Sequence, residues 1–365
     1  WNQLSDSQRK KGPRVHFIDN ADPASVNETL AAVDPRKTLF QFISRSGTSS
    51  ETTALLFWLL AWLKRKAGKT AVAKQVVLIT DQETSPLMPM AEKEGIATLP
   101  VPGNLGTRYG VFSNCALFPG ALCGISVDNL LAGAQDMEKR CWHGDAWSNP
   151  AYMHAIIHYL LTRKRRKTIH SMLAFNGRLN GVVQWYDHLL AVSLGKMLNR
   201  KGKAVHVGPT PSSCLGPSGL HGFMQLYSEG PFDKVTTFIT VRDHGGDLTV
   251  PKTLPKAEAI TYLGGCSLSG IVEASYLTAA QDITASGRPN MTIELDAVTP
   301  QTIGGLYYML QLSTVMSAEL YGIDPFNQPG IDNGKHGLYG VLGRTGFEDR
   351  ATALASYRAR ERKTC

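Results

Sequence analysis

Short apolar runs rich in β-branched residues alternate along this chain with long segments of helical period, and that alternation most restricts its fold. Strands joined by such helices pair in parallel, and a parallel sheet needs helices over both faces to bury it. A first set of runs predicts strands at 14–18, 38–43, 75–80 and 97–101, with helices at 48–65, 86–94 and 111–123. Helical segments at 127–139 and 149–164 lead to a second set. Its strands are expected at 168–174, 204–207, 235–241, 259–262 and 291–294, and its helices at 182–199, 220–227, 269–286 and 300–321. Gly, Pro, Asp or Asn marks each turn, as short strand-to-helix connections require. The expected architecture is α/β: two doubly wound parallel-sheet domains with helices on both faces, at 1–127 and 168–325, joined by a helical bridge at 128–167 and followed by a C-terminal segment at 326–365.

Size and composition agree with that reading. A chain of 365 residues exceeds the length at which single cores stop growing. With 43% hydrophobic and 19% charged residues it has a globular composition and little room for disorder. The longest apolar stretch, ALLFWLLAWL at 54–63, falls far short of the roughly 20 residues a membrane helix needs, and reads as a buried helix. The formal charge of +8 would suit a polyanion, but the basic residues are dispersed and not interleaved with aromatics, which argues against a nucleic-acid partner. The one dense run, Arg163 to Lys167, falls at the end of an expected helix, where positive charge favours the helix terminus. Cys115, Cys123, Cys141, Cys214, Cys266 and Cys365 are scattered with no CxxC pair, so reduced thiols in the cytoplasm are expected. The start at Trp1 leaves room for a processed organellar form.

The stretch SRSGTSSET at 44–52 follows a predicted strand and opens directly into the apolar helix. Backbone N–H groups and the positive end of the helix then lie at the carboxyl edge of the sheet, where open α/β folds bind ligands. Ser44, Ser46, Thr48, Ser49 and Ser50 add hydroxyls, and Gly47 lets an anion approach the backbone closely. A capping box, with Thr48 as N-cap and Glu51 three residues on, would start the same helix without a ligand. A cap needs one hydroxyl, not five, so a phosphate loop is expected. It is not a Walker loop, because GxxxxGK[ST] is absent.

Four motifs, SRSGTSSET at 44–52, VPGNLGTRYGVFSNCALFPGALCGI at 101–125, LHGFMQLYSEGP at 220–231 and PFNQPGIDNGK at 325–335, occur in that order over most of the chain. The first resembles the phosphate loop SKSGTTxET of the glucose-6-phosphate isomerase (phosphoglucose isomerase) family, of the bacterial type with two sugar isomerase (SIS) domains. The second resembles the family's VPxxVGGRFSVLSxVGLxPxA signature, the third the stretch around its catalytic histidine, and the fourth its C-terminal DQPGVExGK. The resemblance implies interconversion of glucose 6-phosphate and fructose 6-phosphate by ring opening and proton transfer between C1 and C2 through a cis-enediol. It implies phosphate binding by Ser44, Ser46, Thr48 and Ser49, with Arg45 where the family has lysine. Arg108 is matched to the cation beside the enediolate, His221 and Lys335 to the ring-opening pair, and Gln328 to a substrate contact. No cofactor and no metal are implied.

Two departures temper this expectation. The family's base-bearing helix reads approximately WxxQLxAESxGK, whereas this chain has WYDHLLAVSLGK at 185–196, so Val192 occupies the glutamate position. Valine cannot accept a proton. His188, one helical turn earlier on the same face, is the only stand-in, and a weak one, because Asp187 points elsewhere. The family's glycine-rich GIGGSxLG segment is also missing ahead of Val15, so the first domain is expected to be N-terminally incomplete. The resemblance implies a homodimer, and the uncovered sheet favours a partner or larger complex that covers it. The alternative to a weakened isomerase is a pseudoenzyme that binds sugar phosphate or serves as a structural subunit. His154 and His158, at i, i+4 spacing, are expected on a helix surface, and Asp243, His244 and Asp247 in a polar turn.

Overall fold

The computed structural model describes residues 12–252 and 258–361. The chain forms two compact units: the first runs to Ile125 and resumes at Gln328, and the second is Ser126–Asn327.

In the first unit the elements are α1 (Pro23–Ala31), β1 (Phe40–Ile43), α2 (Ser50–Ala67), α3 (Ala71–Gln75), β2 (Val76–Thr80), α4 (Met88–Glu94), β3 (Ala97–Pro100) and α5 (Asn114–Leu122). The strands form a parallel sheet in the order β1-β2-β3, with Phe40 opposite Val76 and Thr80 opposite Pro100. Leu56, Leu60 and Leu63 recur at helical spacing along α2 and bury against Val72, Val76, Leu78, Ala91 and Ile96. Leu59, on another side of α2, packs with Val26 and Leu30 of α1. Basic residues in the last turn of α2, Lys64, Arg65 and Lys66, complement its dipole. The strand expected at 14–18 does not form: the segment is irregular and Phe17 is 78% exposed. A short alternating run becomes a strand only when a sheet edge pairs with it and a core takes its apolar face.

The second unit contains α6 (Val127–Cys141), α7 (Pro150–Arg165), β4 (Ile169–Ala174), α8 (Asn180–Leu194), β5 (Lys196–Leu198), β6 (Ala204–Val207), β7 (Thr210–Leu215), α9 (Ser218–Ser228), β8 (Lys234–Asp243), α10 (Leu268–Ala285), β9 (Asn290–Ala297) and α11 (Pro300–Tyr321). Its parallel sheet has the order β7-β4-β8-β9. Strands β4 and β8 are buried along most of their length, as central parallel strands covered on both faces are. Leu173, Phe175 and Phe238 pack beneath Tyr227 of α9 and Ala279 and Ile283 of α10. Helices α6, α7 and α8 pack on α11, so the segment expected as a bridge is part of this unit. Between α6 and α11 the backbones touch: a Cβ on Gly133 would lie 1.8 Å from the Gln301 carbonyl oxygen.

Three expectations fail in this unit. Residues 259–262 belong to a 3₁₀ helix, Glu258–Leu263, and the edge position of the sheet is taken by β7 instead. TPSSCL in β7 is polar and holds Pro211, which an edge strand tolerates because one side of it lacks a ladder partner. Strand 204–207 pairs antiparallel with β5 in a separate two-stranded ribbon, because α8 ends at Gly195 rather than running to 199. His154 and His158 are buried, not on the surface. They share the α7 stripe Ala151, His154, Ala155 and His158, whose i, i+3, i+4, i+7 spacing is that of a core-facing helix.

After Asn327 the chain returns to the first unit with α12 (Pro329–Val341) and α13 (Glu348–Glu361), which pack on each other.

Candidate active site

The loop after β1 extends the ladder before it turns. Ser44 N–H donates to the Ile79 carbonyl (3.0 Å), Asp81 N–H to the Arg45 carbonyl (3.0 Å), and the Thr80 hydroxyl to the Ser44 carbonyl (2.7 Å). Gly47 then reverses the chain with φ +63°, where a Cβ would sit 2.3 Å from the Ser85 hydroxyl. Ser46 and Thr48 share a hydroxyl–hydroxyl hydrogen bond of 2.9 Å. The alternative, a capping box on Thr48 and Glu51, does not form. Helix α2 starts at Ser50 with Ser49 as N-cap, and the Ser49 side chain makes no cap hydrogen bond. The first N–H groups of an 18-residue helix lack intrahelical acceptors, so this end of α2 is electrostatically prepared for an anion.

Arg45 donates to the Gly103 carbonyl at 2.6 Å, which fastens the loop to the turn ahead of Arg108. Asp81, beneath this turn, accepts from the Thr84 hydroxyl (2.5 Å) and from Glu83 N–H (3.0 Å). The Thr84 hydrogen bond, chiefly, holds its carboxyl below the usual range. Arg108 lies in the 3₁₀ helix Thr107–Phe112 and is only 4% exposed. Its guanidinium donates to the Gln328 side-chain oxygen at 3.2 Å. Gln328 is the N-cap of α12, and its carbonyl accepts from Ile331 and Asp332 N–H.

Helix α12 is thereby fastened at both ends within the first unit. Gln328 meets Arg108, and the Tyr339 hydroxyl donates to the Thr48 carbonyl at 2.7 Å. Eleven residues at about 1.5 Å each separate these ties by about 16 Å along the helix, with half-buried Lys335 between them. The sequence motifs do not single out Tyr339; its one signal is its place a helical turn after Lys335.

The remaining expected residues lie in the second unit. Val192 is half-buried near the end of α8, and His188 is exposed one turn earlier. Lys196, itself buried, donates to the Val192 carbonyl at 2.6 Å and to that of Asn327 at 2.9 Å. Asp187 accepts from the Ser213 hydroxyl at 2.6 Å and is raised in pKa chiefly by burial, so its carboxyl is committed to β7. His221 is exposed on α9. In the turn at 243–247, Asp243 accepts from Gly245 N–H (2.8 Å) and Asp247 from Ser269 N–H (3.0 Å). The Ser269 hydroxyl, above all, brings the Asp247 carboxyl down to about 2. Among the described residues no group of three His, Cys, Asp or Glu is arranged to hold a metal ion, and no helix is long and apolar enough to cross a membrane.

The family model described as phosphoglucose isomerase matches residues 3–344. Among curated relatives, a glucose-6-phosphate isomerase of Carboxydothermus hydrogenoformans is 36% identical over 350 residues, 96% of this chain and 75% of the relative. One of Rubrobacter xylanophilus is 33% identical over 347 residues, 95% of this chain and 78% of the relative. Among solved structures, a hypothetical protein of Thermus thermophilus superposes with a TM-score of 0.83 at 30% identity, covering 90% of this chain and 77% of that one. A glucose-6-phosphate isomerase of Chlamydia trachomatis superposes with a TM-score of 0.82 at 19% identity, over 95% and 68%, a likeness of fold.

Proposed function

Because the chain belongs to the phosphoglucose isomerase family, we propose that it binds a hexose 6-phosphate, glucose 6-phosphate or fructose 6-phosphate, with interconversion of the two lost or strongly reduced. Ser44, Ser46, Thr48 and Ser49, with Arg45 fastening the loop, hold the phosphate at the uncapped end of α2. Arg108, oriented by Gln328, offers its charge to an enediolate, and the family's motifs assign ring-opening roles to His221 and to Lys335. The carrying observation is Val192. The position that should deliver the carboxylate presents two methyl groups, and Asp187 is engaged with Ser213. Loss of a positioned general base costs roughly 10²- to 10⁴-fold in rate, and the exposed imidazole of His188 is a poor substitute for it. Free Cys115, Cys123, Cys141, Cys214 and Cys266 fit the cytoplasmic setting we propose; Cys365 lies outside the described residues.

A second reading, a subunit of a homodimer or larger assembly, is favoured by exposed apolar side chains of the first unit, Phe57 (51%) and Trp58 (44%) on α2. Calorimetry with glucose 6-phosphate and a coupled isomerase assay on the purified chain separate the two. Binding with little turnover, and a gain of turnover on Val192→Glu, is the expected result. Turnover by the native chain at the rate of a glutamate-bearing relative would refute the loss of the base; absence of binding would leave the assembly reading.

A further inference from the structure

We propose that Tyr339 is a positioning residue for the phosphate loop: its hydroxyl, by holding the Thr48 carbonyl, aims the Ser49 N–H at the bound phosphate. The proposal rests on the reading of residues 44–49 as a hexose-phosphate site. Tyr339 is 8% exposed, and its hydroxyl donates to the Thr48 carbonyl oxygen at 2.7 Å. A peptide group is planar and trans, so the Thr48 C=O and the Ser49 N–H point in opposite directions from one rigid plate. Whatever fixes the carbonyl on one side therefore fixes the direction of the donor on the other.

That plate sits at the start of α2, where Ser49 is the N-cap in an extended conformation and does not cap with its own side chain. Nothing local from the Ser49 side chain then sets the plate's rotation, and the distant hydroxyl of Tyr339 supplies the restraint. The Tyr339 ring is held in turn. It lies edge-on to Phe347 with centroids 5.3 Å apart, and the Arg344 guanidinium lies 4.3 Å from its centroid. These contacts come from the ring, not the hydroxyl. Removal of the oxygen alone should leave the packing of α12 intact while freeing the Thr48 plate.

Tyr339→Phe makes that change. Titration calorimetry of the full chain with glucose 6-phosphate, and separately with inorganic phosphate, is expected to show affinity for both falling by about tenfold, the weight of one charge-assisted hydrogen bond. Affinity for both should fall by the same factor, because the phosphate group alone is affected. The ³¹P resonance of the bound ligand should shift, and the Ser49 amide resonance should shift in the free protein, with the thermal midpoint little changed. Equal affinities in the two proteins with an unmoved Ser49 amide would overturn the proposal. A loss confined to the sugar and not seen with inorganic phosphate would also overturn it. If the native chain binds neither probe, the reading of the loop fails; the Ser49 amide still decides whether Tyr339 orients that peptide. Tyr339→Leu, which removes ring and hydroxyl together, should weaken binding and lower the thermal midpoint as well.

Discussion

Arg108 and Gln328 are 220 residues apart in the sequence, and the guanidinium of the first donates to the side-chain oxygen of the second at 3.2 Å. A neutral amide satisfies a guanidinium donor while leaving the positive charge available to a ligand. Gln328→Ala should weaken hexose-phosphate binding several-fold, and Gln328→Glu should weaken it further, because a carboxylate would cancel the charge offered to the ligand. Affinities of both variants by calorimetry check the order.

Gly47 carries the loop's tightest turn. Gly47→Ala must accept φ +63° and a contact of 2.3 Å with the Ser85 hydroxyl. A cost of about 1–3 kcal/mol in stability is expected from strain and crowding, together with loss of phosphate binding. Urea unfolding followed by phosphate titration measures both.

Gly133 is restricted by backbone rather than side chain. Gly133→Ala places a methyl group 1.8 Å from the Gln301 carbonyl, and helices α6 and α11 have to part to admit it. The second unit should lose at least about 3 kcal/mol, more than the helix propensity of alanine returns, which is about 1 kcal/mol. The melting transition reports the outcome.

Acid should weaken the second unit from about pH 6.5 downward. His154, His158 and His170 lie in a row with tilted rings, centroids 4.3 Å apart at each step, and their hydrogen bonds go to the neutral hydroxyls of Ser313, Thr237 and Thr162. Burial, first of all, brings His154 down to about 4 and His170 to about 3, and holds His158 well below its usual value of 6.5. All three are depressed in the folded state. The unfolded chain therefore binds more protons as pH falls from about 6.5 towards these values, and stability is lost across that window and complete above it. Each histidine contributes a slope of up to about 1.4 kcal/mol per pH unit. Unfolding free energies at pH 7, 6 and 5 should fall steeply, and less steeply in His158→Phe; a flat profile would contradict the neutrality of the three rings.

What could be read from sequence follows from how each element is stabilised. Strand β8 is buried for eight consecutive residues, and the run of Val, Phe and Ile declares it. The loop at 44–52 is legible because hydroxyls and glycine sit between an apolar strand and an apolar helix. Strand β7 is hidden by Pro211, Ser212 and Ser213, since an edge strand is stabilised by its one neighbour and not by its own hydrophobicity. His154 and His158 look like surface residues by polarity, yet their place in the α7 stripe assigns them to the interior. The tie between Tyr339 and Thr48 is set by tertiary packing alone, and nothing local in either segment announces it.

The first unit is completed only by the last part of the chain, because α12 and α13 rejoin it after the whole of the second unit. On a ribosome, the loop proposed to hold phosphate emerges first and waits for about 290 further residues before its tyrosine brace arrives. Newly made protein should therefore gain ligand affinity in a single step, only after Tyr339 has emerged. Chains stopped short of Tyr339 would carry every loop residue and still hold the anion poorly.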